Sequence, residues 1–128
     1  MTATPDPLAS SAILDDLWAT IVQRRAERPE GSYVVKLLDG GPTKVGEKVT
    51  EEAGELVEAA VDGSDVEHIV HETADLLFHA WTLLATTSTE PAAVYAELER
   101  RFGTSGLAEK ASRTMTPDAA DKSEETAE

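Results

Sequence analysis

Lys44-Val-Gly-Glu-Lys-Val-Thr-Glu-Glu-Ala-Gly-Glu-Leu-Val-Glu-Ala-Ala-Val61 is the stretch whose reading decides the fold. Its apolar residues recur with the three- and four-residue spacing of an amphipathic helix, opened by Thr43 as a cap and ended by Asp62-Gly63. Stepping round at about 100° per residue from Val45 places Val49, Leu56 and Ala60 within about 60° of it, a core stripe. Glu51, Glu55 and Glu58 fall on the far flank, but Glu52, at about 340°, lies at the border of the buried stripe. A carboxylate taken out of water there costs several kcal/mol unless a partner or a metal compensates it.

The next helix begins three or four residues later, capped by Ser64 or Asp65 and running to about Thr87. So short a link forces the two helices to lie adjacent and antiparallel. The second carries an apolar arc through Val66, Ile69, Val70, Leu76, Leu77, Trp81 and Leu84. At its edge His68, Glu72, Asp75 and His79 form one polar row with spacings of four, three and four. Glu52-x-x-Glu55 and Glu72-x-x-Asp75 can then face each other across the pair, bringing four carboxylates to one point. Like charges so close raise one another's pKa unless divalent cations neutralise them, and an all-oxygen ligand set favours Mg²⁺ or Mn²⁺ over zinc or copper. A single Glu-x-x-Glu is ordinarily a solvated helix face. Two such pairs on adjoining helices, one acid at the core border, weigh against that reading. His68 reads as a solvated residue, and His79 either as a hydrogen-bonded core residue or as a group holding Asp75.

Outward from this pair the rest of the chain also reads as helix. Residues 1–9 form a small, polar, proline-punctuated lead. A helix then starts at Ser10 or Ser11, carries Asp15 and Asp16 early and Arg24, Arg25 and Arg28 late, and stops at Pro29. Ser32 to Leu38 is a short helix, since no second strand exists for it to pair with, and Asp39-Gly-Gly-Pro42 is a turn. Ser88 or Thr89, with Glu90-Pro91, opens a further helix closed by Gly103; residues 105–113 allow one last short segment, and 114–128 is a disordered acidic tail. The expectation is an all-α domain of four or five helices over 10–113.

Charge sets limits on function. The 128 residues include 25 Asp and Glu against 11 Lys and Arg, a net charge of −14. That excess argues against gripping nucleic acid or an anionic membrane, which requires a basic face. Without cysteine there is no disulfide, zinc-thiolate site or thiol nucleophile. The start lacks the features of a signal peptide, and the most apolar run, Leu76 to Ala85, is half a membrane span, so a soluble cytoplasmic protein is expected. Residues 47–75 hold ten acids against Lys48 alone. No glycine-rich phosphate loop of either common kind is present, so any phosphate charge must be met by metal and by Lys36, Lys44, Lys48, Lys110 or Arg113. Lys48, one turn before Glu52, suits either a salt bridge with it or a phosphate contact.

Four motifs carry a resemblance: Gly31-Ser-Tyr33 with Lys36-Leu37, Lys44 to Glu55, Glu72-Thr-Ala-Asp-Leu-Leu-Phe-His79, and Ser105-Gly-Leu-Ala-Glu-Lys-Ala-Ser-Arg113. Over roughly 12–113 the chain resembles the phosphoribosyl-ATP pyrophosphatase family of histidine biosynthesis, within the all-α nucleotide pyrophosphohydrolases. The resemblance implies Mg²⁺-dependent hydrolysis of 1-(5-phospho-β-D-ribosyl)-ATP to the AMP derivative and pyrophosphate. It further implies Glu52, Glu55, Glu72 and Asp75 as metal ligands, Glu51 as an assisting or water-orienting acid, and Lys48, Lys110 and Arg113 as phosphate contacts. A homodimeric helical bundle is implied as well. The acidic pairs alone are shared with MazG-like enzymes, so a pyrophosphatase acting on ordinary nucleoside triphosphates is an alternative. A non-catalytic acidic module that binds metal or a basic partner is another.

Overall fold

The computed structural model describes residues 5–6 and 8–103. They form four α-helices, α1 (Ile13–Glu27), α2 (Tyr33–Val61), α3 (Val66–Ala85) and α4 (Pro91–Phe102), and no strand among the described residues. The all-α expectation holds. The expected segment 105–113 and the tail, with Lys110 and Arg113, lie outside the described residues. The chain divides into two compact units, Met1–Thr89 and Glu90–Glu128. No described helix is long and apolar enough to cross a membrane.

In the first unit α1 carries Asp15 and Asp16 in its first turn and Arg24 and Arg25 in its last, the arrangement that complements a helix dipole. Its cap differs from expectation. Ala12 takes that position without a side-chain bond, and the Ser10 hydroxyl accepts from the Ala12 N–H at 3.2 Å, two residues too early to cap the helix. Arg28 closes α1 with a left-handed backbone (φ 51°), its N–H donating to the Arg24 carbonyl at 2.8 Å.

Ser32 caps α2 by accepting from the Val35 N–H at 3.3 Å. The helix then runs through Asp39-Gly-Gly-Pro42, where a separating turn is expected from the sequence. The break is one residue wide. Gly41 alone leaves helical geometry (φ 75°, ψ −176°), a conformation open essentially to glycine, and Pro42 supplies no N–H to bridge the gap. α2 is thus two helical segments meeting at a kink, the second starting beside Thr43 as expected, with the expected four-residue turn reduced to Gly41. Asp62 to Asp65 links α2 to α3. Gly63 is left-handed there, the Ser64 N–H reaches back to the Ala59 carbonyl at 2.9 Å, and the Asp65 carboxylate caps α3 through the His68 N–H at 2.9 Å.

Packing is dominated by α2 against α3, with α1 laid on both. Ile21, Val45 and Thr82 are fully buried. The Trp81 indole donates to the Leu14 carbonyl at 3.1 Å, and Arg25 donates to the Ala85 carbonyl at 2.9 Å, satisfying a terminal carbonyl of α3. The buried arc of α2 is rotated from its expected position: Ala59 is buried and Ala60 exposed, so the stripe centres closer to Glu52. On α3 the rotation is larger. Glu72, His79, Trp81, Thr82 and Ala85 face inward, whereas Val66, Val70 and Leu77 of the expected core arc are exposed.

The described part of the second unit is α4. Pro91 occupies its first turn, where a missing N–H costs nothing. Glu97 bonds Arg100 at 2.7 Å and Arg101 at 2.8 Å, and these guanidinium groups hold its carboxyl down at about 2. Gly103 ends the helix with extended backbone instead of the left-handed cap common for glycine.

Candidate metal centre

The seam between α2 and α3 is where the acids meet. Carboxylate oxygens of Glu52, Glu55 and Glu72 lie within 4.8 Å of one another. Glu52 is only 7% exposed and Glu72 9%, while Glu55 opens to solvent. Oε2 of Glu52 is buried and has no hydrogen-bond partner among the described residues. Stranding a carboxylate oxygen this way is costly, and a divalent cation among three hard oxygen ligands is the group that compensates it. The donor set thus fits Mg²⁺ or Mn²⁺.

Charge in the seam acts in the same direction. Glu55 titrates above the ordinary carboxylate range, chiefly because its carboxyl shares a hydrogen bond with that of Glu52. Desolvation and the charges of Glu52 and Glu51 add to this, and Lys48 opposes it. Lys48 pairs with Glu51 at 3.2 Å instead of the Glu52 that its position suggested, and this bond raises its own pKa. Glu51 is thereby placed beside the acid group but outside it. His68, half exposed as expected, brings Nε2 to 3.1 Å from Glu72 Oε2.

Asp75 is not in the three-carboxylate group. Its Oδ2 lies 3.2 Å from Nε2 of His71, one turn earlier on α3. The row of four polar residues thus divides: Glu72 and His79 turn into the seam, and Asp75 is engaged by a neighbour that the spacing argument passed over. His71 stands four residues before Asp75, a spacing at which helical side chains meet, and that signal was available in the sequence.

Behind Glu52 lies His79, 5% exposed. Its Nδ1 is 2.9 Å from the Asp75 carbonyl, which can only accept, so Nδ1 carries the proton. Nε2 therefore receives the Tyr33 hydroxyl proton, at 3.1 Å. Glu52 Oε1 is 3.9 Å from Nδ1, too far for a hydrogen bond but close enough for the ring to wall the carboxylate in. Tyr33 had no assigned role in the sequence reading beyond its place in the Gly-Ser-Tyr motif. It ties the first turn of α2 to α3, stacking on Phe78 with ring centres 6.1 Å apart. Tyr33 also lines a cavity of ≈ 310 Å³, with Lys36, Lys44, Lys48, Glu47 and Glu51 among its walls.

These features define an all-α protein with three carboxylates gathered in its helical seam, a group that could hold a divalent cation. Residues 14–102 match the family model for phosphoribosyl-ATP pyrophosphohydrolase. Among similar proteins, the phosphoribosyl-ATP pyrophosphatase of Rhodopirellula baltica is 50% identical over 107 residues, covering 82% of this chain and 89% of that one. Those of Geobacter sulfurreducens and Trichlorobacter lovleyi are 50% and 48% identical over 101 residues, each covering 79% of this chain and 93% of theirs. The chain belongs to the phosphoribosyl-ATP pyrophosphohydrolase family.

Proposed function

We propose that this chain hydrolyses phosphoribosyl-ATP to phosphoribosyl-AMP and pyrophosphate, the activity its relatives are named for and a step of histidine biosynthesis. The observation that carries the reading is the buried, unpartnered Oε2 of Glu52 beside Glu55 and Glu72. Glu52, Glu55 and Glu72 hold the metal, Mg²⁺ or Mn²⁺, with Asp75 as a fourth ligand. A divalent ion so held neutralises diphosphate charge and orients an attacking water.

The chain's own residues do the rest. Glu51, kept at the rim by Lys48, is the assisting acid that orients the water, and Glu52 and Glu55 act through the metal they hold. His79 and Tyr33 fix the wall behind Glu52. Lys48, with Lys110 and Arg113, meets phosphate charge. Exposed Val57, Val61, Val66 and Val70 on α2 and α3 support a homodimer, and the net charge of −14 opposes nucleic acid and anionic membranes as partners. The proposed location is cytoplasmic.

A pyrophosphate-release assay tests the activity. We expect Mg²⁺-dependent turnover of phosphoribosyl-ATP and its loss in Glu55→Gln. Faster turnover of ordinary deoxynucleoside triphosphates would replace this reading with the MazG-like one. Mg²⁺ binding without turnover of any nucleotide would leave a non-catalytic module.

A further inference from the structure

Three of the chain's five lysines converge on one recess. Lys36 comes from the first segment of α2, and Lys44 and Lys48 from the segment beyond the Gly41 kink. Lys48 is paired with Glu51, whereas Lys36 and Lys44 make no ion pair among the described residues. That is unusual in a chain carrying 25 acids, since a lysine near this seam has carboxylates to choose from. The lining residues include these three lysines against two acids, Glu47 and Glu51, a formal excess of one positive charge at the edge of the most acidic part of the sequence.

The local backbone is shaped to this end. A Cβ on Gly40 would sit 2.6 Å from Cβ and 2.7 Å from Cγ of Lys44, so the absence of a side chain at 40 is what lets the Lys44 stem lie where it does. The Gly41 kink turns the helix between Lys36 and Lys44 and brings both to the same recess. Tyr33 links the two: it lines the recess and also bonds His79, whose ring lies against Glu52. The recess and the carboxylate group are therefore neighbours with opposite electrostatics, one built for metal and one for an anion.

We propose that the Lys36–Lys44–Lys48 recess is a second anion subsite, which takes the phosphate monoester on the ribosyl end of the substrate without a metal. This rests on the functional reading above and extends it. Phosphoribosyl-ATP carries two separate anionic groups, a triphosphate that is cleaved and a monoester that is not. The carboxylate seam supplies metal for the first and only repulsion for the second. A phosphate monoester is a compact dianion, matched by lysine ammonium groups acting as point charges, and ≈ 310 Å³ is of the size of small-ligand pockets. The recess would make the enzyme prefer phosphoribosyl-ATP over ATP.

The test compares the full-length wild type with Lys36→Gln, Lys44→Gln and the double variant. Ribose 5-phosphate binding is followed by amide NMR shifts in the absence of Mg²⁺, with ribose and inorganic phosphate as comparison probes. We expect ribose 5-phosphate to shift the amides of residues 33–48, and each substitution to weaken it about tenfold, the effect of one charge-assisted bond. In turnover, the ratio of kcat/KM for phosphoribosyl-ATP to that for ATP should fall by a similar factor through KM. Binding that needs Mg²⁺, binding unchanged in the double variant, or equal losses for ATP and phosphoribosyl-ATP would each overturn the proposal, the last assigning the lysines to the triphosphate. Should the wild type not turn over phosphoribosyl-ATP, the functional reading fails, and the metal-free binding arm still decides whether the recess is a phosphate subsite.

Discussion

Glu52 is the residue on which burial and chemistry conflict. Its carboxylate is removed from water with one oxygen unpartnered, so in the metal-free chain it opposes folding. Glu52→Gln keeps the shape and removes the charge. Pyrophosphate release should fall about a hundredfold or more, several kcal/mol of charge stabilisation going with the ligand. The metal-free variant, by contrast, should melt higher than wild type, with about 1–3 kcal/mol at stake. Calorimetry with and without Mg²⁺ checks both halves, since Mg²⁺ should raise the wild-type Tm and leave the variant nearly unmoved. Glu55 gives the pH dependence. Its pKa is raised in the folded chain, so its contribution to metal-free stability is present below the ordinary carboxylate range and is lost as pH rises through the raised value. Mg²⁺ competes with that proton. The Mg²⁺-induced rise in Tm should therefore shrink on acidification from pH 8 towards pH 5, and an increment that stays constant would remove Glu55 from the ligand set. How much of this was legible varies residue by residue. Glu52 was found by its angle on the helix, because burial follows the wheel. The engagement of Asp75 by His71 was not found, because a wheel gives a residue's face and not which neighbour its carboxylate turns to.

At the scale of the element, α2 is the informative case. Its two segments were each read as helix, and the punctuation between them as a turn, because glycine and proline mark turns far more often than kinks. The two segments are there, and only the width of the break differs: Gly41 alone departs from helical geometry, so the expected turn is a kink. The rotations of α2 and α3 have a related cause. A hydrophobicity count assigns Val66 and Val70 to the core, yet the fold turns Glu72 and His79 inward and leaves the valines out. If the proposed metal site is right, its need for buried carboxylates is what overrides the apolar pattern here. Two glycine substitutions separate kink from helix. Gly41→Ala places a Cβ where φ is 75°, with a strain of about 1–3 kcal/mol, and should lower the denaturation midpoint. Gly54→Ala lies in regular helix with nothing within 4 Å of its new Cβ, and should raise stability by about 0.5–1 kcal/mol. Urea titrations of the two variants should move in opposite directions from wild type.

At the largest scale, the exposed valines and the acid seam belong to the same pair of helices, so the proposed assembly and the proposed metal site would be coupled. Val57 and Val61 on α2, and Val66 and Val70 on α3, are all more than half exposed, at the i and i+4 spacing that makes a stripe on each helix. Covering such stripes with a second copy removes apolar surface from water, the main drive for a homodimer. The same approach brings together two segments that each hold ten acids between residues 47 and 75. Their repulsion opposes association until a divalent cation reduces it. Two consequences are measurable by light scattering coupled to gel filtration. Wild type should run as a dimer if the proposed assembly holds, and Val70→Asp, adding a charge to the stripe, should then give a helical monomer. For the wild type, diluted until the dimer begins to dissociate, Mg²⁺ should shift the balance back to dimer more strongly than NaCl of equal ionic strength. If salt does as much as Mg²⁺, general screening is the cause and the coupling between seam and interface is absent.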